Sequence, residues 1–522
     1  MGKAALKSAV SIIAITAGLM AVACPANAAS REELEKQVEL LKKQIAAQQE
    51  QLDVLTSQIR DVKTSSANQY SDTQRQVAES PKLTIKDGRP TFTSGDGKFS
   101  ASLRGRLQFD YASYLQDAGG PFATDPRRGS FGDATEAVRA RDLNSGTNFR
   151  RAQIGLEGKI LDDWTYSLIY EFGGSGQEDV GRVQDLYIQY NGIDPLHVRV
   201  GAFAPYAGYD DTISSADSLF LERASSSDLS RQVAGADGRT GVALFGNGEQ
   251  WFASLSFTGA AINTQSFDEQ AAVVGRVAGL VYKSADLNIH LGANATYLLS
   301  PPGTGPDTTG ARHPFRLRDR PEIRVDGTRL IDTGNINTET LFIQGVEAAA
   351  NFHNFYIQGE HFWYQFERDQ LPTGPTLGDP EFSGWYVQAA FALTGEERVW
   401  NPASGVFGTI KPNKPFDIDG SGWGAWELAA RYSVADLNWN AGSGGPVPTG
   451  GIRGGEQTTI TAGLNWYVNN NIRFLLDYQW IEVDRLSTGA ANAYGTGIPV
   501  PAAGTQVGQD LEVVSIRSQL SF

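Results

Sequence analysis

The chain has 522 residues and a formal net charge of −15, from 44 Lys and Arg against 59 Asp and Glu. This acidic balance argues against nucleic acid as a partner. With one cysteine in the whole chain, no intrachain disulfide can form.

Residues 1–28 have the features of a secretory signal peptide. Lys3 and Lys7 precede an apolar run over residues 9–23, and the small-residue triplet at 26–28 follows as a cleavage site. The run is too short for a membrane-spanning helix, and no later window offers about 18 consecutive apolar residues. We therefore expect a secreted chain without a transmembrane helix, whose mature part contains no cysteine.

A heptad pattern follows the signal peptide. Apolar residues recur at alternating steps of four and three, with Gln48 in the one polar core position: Leu34, Val38, Leu41, Ile45, Leu52, Leu55, Ile59 and Val62. This spacing predicts a coiled coil over residues 30–63 that self-associates, with a single amphipathic helix as the alternative and the stoichiometry open between two and three strands. We expect this segment to lie in the periplasm. Residues 64–80 are polar, and we expect them to form a flexible linker.

After Pro81 the apolar pattern changes to a period of two. In the first segment, Phe99, Leu103 and Leu107 share one face, while Arg104 and Arg106 share the other. About sixteen such segments can be placed, separated in turn by short connections such as 161–163 and by long ones such as 205–237. An even number of segments of this length is typical of outer-membrane barrels, whereas a soluble all-β protein would not oppose nearly every apolar face with charge.

The sequence therefore predicts an all-β fold over residues 81–522, a 16-stranded antiparallel transmembrane β-barrel preceded by a short N-terminal coiled-coil helix. The last strand ends on Phe522, and a final aromatic residue resembles the mark that the barrel assembly machinery reads in outer-membrane barrels. We expect that machinery and outer-membrane lipid as partners. The sequence shows no nucleophile motif or metal-ligand spacing, so we expect neither an enzyme nor a cofactor.

Arginines are the main candidates for a functional role. Arg316, Arg318 and Arg320 share one face of an extended segment, and Arg324 follows them. By alternation, further arginines point to the lumen: Arg104, Arg106, Arg151, Arg431 and Arg473. Guanidinium groups bind oxyanions through paired donors, so these residues could guide anions. The alternative is that they pair with Asp or Glu and hold the wall together.

Over nearly all of residues 81–522 the chain resembles the phosphate-selective porins O and P. The blocks that carry the resemblance include Arg104-Gly-Arg-Leu-Gln-Phe-Asp-Tyr111, Phe149-Arg-Arg151, Gly384-Trp-Tyr-Val-Gln388 and Gly463-Leu-Asn-Trp-Tyr467. The resemblance implies a homotrimer of sixteen-stranded barrels. In each barrel a row of arginines leads small anions such as phosphate to a narrow site, formed where the third outer loop folds inward.

Carried over residue by residue, the resemblance implies an anion site at Arg150, Arg151, Ser214, Ser215 and Arg223. It also matches the arginine row to residues 316, 318, 320 and 324. However, a lysine of the family site falls near Asp211, and a carboxylate there would repel phosphate. We expect Asp211 to modify selectivity.

The expected function is passive diffusion of small hydrophilic solutes across the bacterial outer membrane, with a preference for anions such as phosphate or polyphosphate. One alternative is a neutral-solute porin, in which sugars pass along aromatic side chains such as Trp363, Tyr364, Trp385 and Tyr386. The other alternative is a structural tether, in which the coiled coil links the outer membrane to the cell wall.

Overall fold

The computed structural model describes residues 31–116, 143–174, 181–235, 238–262, 267–304, 312–490 and 501–522. The signal peptide expected at residues 1–28 lies outside these ranges. The chain divides into two compact units, residues 1–79 and residues 80–522.

In the described part of the first unit, residues 31–79 form one helix, α1 (Arg31–Glu79), of 49 residues. Its heptad side chains are exposed in the single chain, with Leu34 54% and Leu52 60% accessible; their self-association stays a prediction. The helix does not end at residue 63. It runs through residues 64–79, which corrects the expected linker, because this stretch has no Gly or Pro to break a helix and the next Pro is Pro81. Neither α1 nor any other described helix is long and apolar enough to cross a membrane.

The second unit begins with a hairpin of two strands, β1 (Lys82–Lys86) and β2 (Arg89–Thr93). Nine longer strands follow: β3 (Phe99–Leu115), β4 (Gly146–Ile160), β5 (Trp164–Glu171), β6 (Arg182–Ile193), β7 (Leu196–Phe203), β8 (Arg239–Asn247), β9 (Trp251–Ala261), β10 (Ala271–Lys283) and β11 (Leu287–Ser300). Short strands then lie in one long connection: β12 (Pro314–Phe315), β13 (Arg318–Asp319) and β14 (Ile331–Asp332).

Seven more long strands follow: β15 (Ile336–Phe352), β16 (Phe355–Arg368), β17 (Glu381–Ala392), β20 (Ala425–Trp439), β21 (Ile452–Tyr467), β22 (Ile472–Asp484) and β23 (Asp510–Ser521). Between β17 and β20, two strands of two residues each form a hairpin: β18 (Trp400–Asn401) and β19 (Val406–Phe407). Each long strand pairs antiparallel with the next, and β23 pairs with β3. The sixteen long strands therefore close into the predicted barrel.

The seam of the barrel lies at β3. Strand β23 pairs with residues 106–115 of β3, and β2 pairs with residues 100–102. Between them, the backbone N–H of Phe522 donates to Gly105 O and that of Gly105 donates to Phe522 O, both at 3.0 Å. A Cβ at residue 105 would meet the Phe522 ring at 2.3 Å, so glycine allows this close approach. Recognition of Phe522 by the assembly machinery stays a prediction.

The period-two pattern gives the barrel an apolar outside and a polar inside. On β3, Leu107 and Tyr111 are each 44% exposed on the outer face, whereas Gln108 and Asp110 are fully buried on the lumen side. The outer face is therefore suited to lipid.

Long connections fold back into the lumen from both ends. The connection 204–238 carries α2 (Tyr209–Thr212), α3 (Ser225–Ser230) and a π-helical turn (Arg231–Gly235), and we call it the constriction loop. It folds inward as the resemblance implied. From the opposite end, where the short turns lie, the connection 393–424 between β17 and β20 also enters, and its Trp400 and Phe407 are buried. We call it the inner connection.

Candidate functional site

A cavity of about 120 Å³ lies between the lumen wall and the constriction loop. We call it the arginine cavity, since five arginines are among its lining residues: Arg104, Arg106, Arg151, Gln153, Ile169, Gln184, Asp185, Asp211, Thr212, Ile213, Ser214, Ser215, Arg223 and Arg231. Seven of the sequence-predicted residues thus meet here, namely residues 104, 106, 151, 211, 214, 215 and 223.

The two serines are held against β3 by a lumen arginine. Arg106 donates to the Ser214 hydroxyl at 2.8 Å and to the Ser215 hydroxyl at 2.6 Å. The side-chain amide of Gln108 donates to Ser215 O at 2.9 Å. Because each hydroxyl accepts a hydrogen bond from Arg106, its own proton stays available for donation to a ligand.

Two arginines of the cavity have only neutral partners among the described residues. Arg151 donates to Gln108 Oε1 at 2.7 Å. Arg223 donates to the carbonyls of Asp210 at 3.0 Å and Ile213 at 2.9 Å. Within the described ranges, no carboxylate forms an ion pair with Arg151 or Arg223, so their charge acts on the cavity.

A β-bulge explains why Arg150 and Arg151 both point inward. In the β3–β4 register Gln108 opposes Arg151, but the next residue, Phe109, opposes Phe149, so Arg150 is an extra residue. A bulge of this kind interrupts strict alternation. Both arginines are buried on the lumen side, with Arg150 6% and Arg151 7% exposed.

Arg150, however, points to Glu222 of the constriction loop and away from the cavity. Its Nε lies 2.7 Å from Glu222 Oε1, where Arg517 also approaches at 3.0 Å, and Arg324 lies 3.3 Å from Oε2. Burial opposes the charge on Glu222, but the guanidinium groups around it outweigh burial and hold its pKa well below the usual range. Glu222 therefore neutralises part of the predicted anion site.

The Asp211 carboxylate forms an ion pair with Arg231. Its Oδ1 lies 2.5 Å from Nε of Arg231, on the π-helical turn. Among the described residues, no ion pair joins the Asp211 carboxylate to Arg150, Arg151 or Arg223. Arg231 was missed by sequence reasoning, because nothing in its local sequence indicates a π-helical turn that points it at residue 211.

Carboxylates pair with two members of the predicted arginine row, and a third member is buried. Arg316 forms an ion pair with Asp332, and Arg324 pairs with Asp228 and Glu222. Arg318 lies in β13, and Arg320 is buried at 4% exposure, with its carbonyl accepting from Gln457. At the arginine cavity, Arg104 pairs with Glu157. For Arg104, Arg150, Arg316 and Arg324 the alternative interpretation, pairing that holds the wall, fits the structure.

Other lumen arginines hold the inward segments by their backbone carbonyls. Arg431 donates to Glu222 O at 2.9 Å and Arg473 to Ser218 O at 2.8 Å. Arg276 donates to Ser404 O and Gly405 O of the inner connection, both at 2.8 Å. Alternation could place such arginines in the lumen, but the carbonyls that they bind belong to loops whose path the sequence does not reveal.

The aromatic residues considered for a sugar path do not line an open lumen. Trp363 is 41% exposed on the outer face, and Trp385 packs against the outward Tyr432. Tyr364 and Tyr386 point inward but are buried, and their hydroxyls donate to Ser226 O and Glu360. These four residues give the neutral-solute alternative no aromatic track.

Comparison with known proteins finds a matching family and similar sequences. Residues 127–500 match the family described as phosphate-selective porin O and P. An uncharacterized protein of Caulobacter vibrioides is 28% identical over 416 residues, which cover 77% of this chain and 73% of that protein. Porin O of Pseudomonas aeruginosa is 24% identical over 431 residues, which cover 77% of this chain and 87% of the porin.

Among solved structures, an anion-selective porin from Comamonas acidovorans is 13% identical with a TM-score of 0.45, and the match covers 81% of this chain and all of that chain. The channel DcaP of Acinetobacter baumannii is 8% identical with a TM-score of 0.42, and the match covers 81% of this chain and 97% of DcaP. The family match covers residues 127–500, well over half of the sequence. The chain therefore belongs to the family of phosphate-selective porins O and P, which are porins of the bacterial outer membrane.

Proposed function

We propose that the barrel conducts small anions by passive diffusion, phosphate and polyphosphate among them, and that it works as a homotrimer. The observation that carries the anion preference is the arginine cavity. There Arg151 and Arg223, with only neutral partners among the described residues, lie beside Arg106 and the hydroxyls of Ser214 and Ser215. Porins of this family are channels and not enzymes, so the cavity serves binding and passage.

The charge balance of the cavity supports an anion preference of moderate strength. Five arginines and two aspartates line it, and Glu157 pairs with one of the arginines, Arg104, so the net charge of the cavity remains positive. Two unit charges 4 Å apart attract by about 4 kcal/mol at an effective dielectric constant of 20. Added salt screens more distant charges with a Debye length of about 8 Å, so the cavity, and not the remote arginines, dominates the preference.

Reversal potentials in planar bilayers test the proposal. Under a potassium chloride gradient we expect the wild-type channel to prefer chloride, because the cavity is positive. The double substitution Arg151→Gln and Arg223→Gln should lower the chloride-to-potassium permeability ratio severalfold. Arg199→Gln is the matched control, since Arg199 binds Gln189 and is not among the cavity residues. Cation preference of the wild type, or an equal effect of the control, would refute the proposal.

The tether remains a second candidate because of the length of α1. At 1.5 Å per residue, 49 residues span about 74 Å, which gives the helix a long reach. We propose that α1 lies in the periplasm and self-associates through its heptad face. Deleting residues 29–79 separates the candidates: loss of envelope integrity with unchanged solute uptake favours the tether, and lost permeability with an intact envelope favours a role in trimer assembly.

A further inference from the structure

A buried histidine joins the barrel wall to the inner connection. His290 lies on β11 with a fully buried side chain, and its Nδ1 accepts a hydrogen bond from the indole Nε1–H of Trp400 at 3.2 Å. On the other side of the ring, Nε2 lies 2.9 Å from Oε1 of Glu347 on β15. The imidazole ring of His290 therefore bridges the inner connection and the wall through one hydrogen bond at each nitrogen.

The two partners of His290 fix its protonation state. An indole N–H can only donate, so Nδ1 of His290 must accept and carries no proton. The Glu347 carboxylate accepts, so the ring proton lies on Nε2. Both hydrogen bonds are thus made by the neutral imidazole. The charged imidazolium carries a proton on each nitrogen, and its Nδ1–H would point at the indole N–H of Trp400.

The groups around His290 come from four other elements. Glu347 forms an ion pair with Arg276 of β10 at 2.7 Å, and both side chains are fully buried. Glu360 of β16 lies opposite Glu347 in the strand register and adds a second carboxylate. From the constriction loop, the Tyr209 ring packs edge-on with its centre 4.9 Å from that of the His290 ring. When His290 takes up a proton, this group holds two positive and two negative charges, so the imidazolium is not left as an unbalanced buried charge.

We infer that protonation of His290 releases the inner connection from the lumen, so that the channel opens wider as the pH falls. Histidine is the side chain that ordinarily changes its charge between about pH 5 and pH 8. Trp400 is only 7% exposed, so its indole N–H loses its acceptor when Nδ1 is protonated, and a buried donor without an acceptor is costly. Water satisfies this donor once the inner connection leaves the lumen.

This inference concerns the width of the channel and goes beyond the proposed anion preference. The inner connection contributes no residue to the lining of the arginine cavity. The chloride-to-potassium permeability ratio should therefore be the same before and after the inner connection leaves.

Single-channel recordings in planar bilayers at pH 8 and pH 5 test the inference. For the wild type we expect the fraction of time spent at a higher conductance level to rise about tenfold from pH 8 to pH 5, as expected when one buried donor loses its acceptor. His290→Gln should remove this rise, because the neutral amide offers an acceptor and a donor at both pH values. Trp400→Phe should also remove it, because phenylalanine has no N–H that the Nδ1 proton could meet.

His353→Gln is the matched control, because His353 also contacts the inner connection. Its Nδ1 lies 3.4 Å from Oε1 of Glu397, and its Nε2 lies 3.6 Å from Oδ1 of Asp286. The His353 side chain is 46% exposed, however, so water can take the place of either partner. His353→Gln should therefore keep the tenfold rise.

Three results would overturn the inference: equal occupancy of the higher level at pH 8 and pH 5 in the wild type, a rise that persists in His290→Gln or Trp400→Phe, or a rise that His353→Gln abolishes. Because levels are scored only on channels that conduct, the second of the two variants decides if the first fails to fold. Reversal potentials measure the anion preference separately. A channel that prefers chloride but does not respond to pH keeps the proposed function alone, and one that responds to pH without preferring chloride keeps this inference alone.

Discussion

Replacing Arg276 should release the inner connection from the lumen. The Arg276 side chain is fully buried and forms an ion pair with Glu347, at 2.7 Å between NH2 and Oε1. It also donates to the carbonyls of Ser404 and Gly405. Arg276→Met removes the guanidinium partner of Glu347 and leaves this carboxylate with His290, whose Nε2 lies 2.9 Å from Oε1, at a cost of about 3–5 kcal/mol. Each carbonyl left without a donor adds about 1–3 kcal/mol unless it reaches water.

A local change can remove most of this cost. When the inner connection leaves the lumen, water reaches the two carbonyls and Glu347. We therefore expect Arg276→Met to raise single-channel conductance while the ring of sixteen strands stays intact. The stability of the barrel is measured as its melting midpoint by heat-dependent gel mobility. Adding Glu347→Leu should recover most of the lost stability, since no unpaired charge remains, but should leave conductance high.

Arg453→Met is the matched control for this experiment. Arg453 is buried to a similar degree, 2% exposed, but it donates to Gly445 O and Ser487 O at the outer end of the barrel. Its replacement should lower stability without raising conductance through the inner connection. Unchanged conductance in a folded Arg276→Met channel would refute the anchoring role, and so would an equal rise in Arg453→Met.

Two other predictions concern the seam and Glu222. In Gly105→Val, the new Cβ would lie 2.3 Å from the Phe522 ring, so the ring must move. We expect the free energy of unfolding to fall by about 1–3 kcal/mol, measured as a lower melting midpoint by heat-dependent gel mobility. An unchanged midpoint would contradict the packing at the seam. The pKa of Glu222 is depressed, so its ion pairs stabilise the fold above the unfolded pKa of about 4.3 and are lost only as pH falls through the lower folded value. Glu222 therefore stays ionised between pH 7 and pH 5, and we expect the chloride-to-potassium permeability ratio of the wild type not to change over this range. Glu222→Gln should raise this ratio at both pH values. A wild-type ratio that rises as the pH falls and equals that of Glu222→Gln at pH 5 would contradict this prediction.

The barrel could be predicted from the sequence because lipid and lumen impose alternation on every long strand. The same reasoning placed Arg104, Arg106 and Arg151 on the lumen side. It failed where alternation is interrupted or absent. The bulge at Arg150 depends on the β3–β4 register, and the end of α1 was set too early because polar residues without Gly or Pro remain compatible with a helix.

Loop paths set the other limit of prediction from sequence. Arg316 and Arg324 share a pattern in the sequence, but each meets a different carboxylate, Asp332 or Asp228, once the connection folds. Arg231 could not be paired with Asp211, because their contact depends on a π-helical turn twenty residues away. The inner connection gave no sign of entering the lumen, since its burial depends on partners such as Arg276 on a distant strand.

The contact between the two inward segments has a mechanical consequence. The backbone N–H of Phe407 in the inner connection donates to the Tyr209 hydroxyl of the constriction loop at 3.0 Å. Tyr209 in turn is fixed to the wall, where its own N–H donates to Glu360 at 2.6 Å. The two segments are thus joined to each other across the channel, and Glu360 fixes them to the barrel wall. We therefore expect motion at one mouth to be transmitted to the other, so that the current fluctuates between shared levels instead of showing two independent gates.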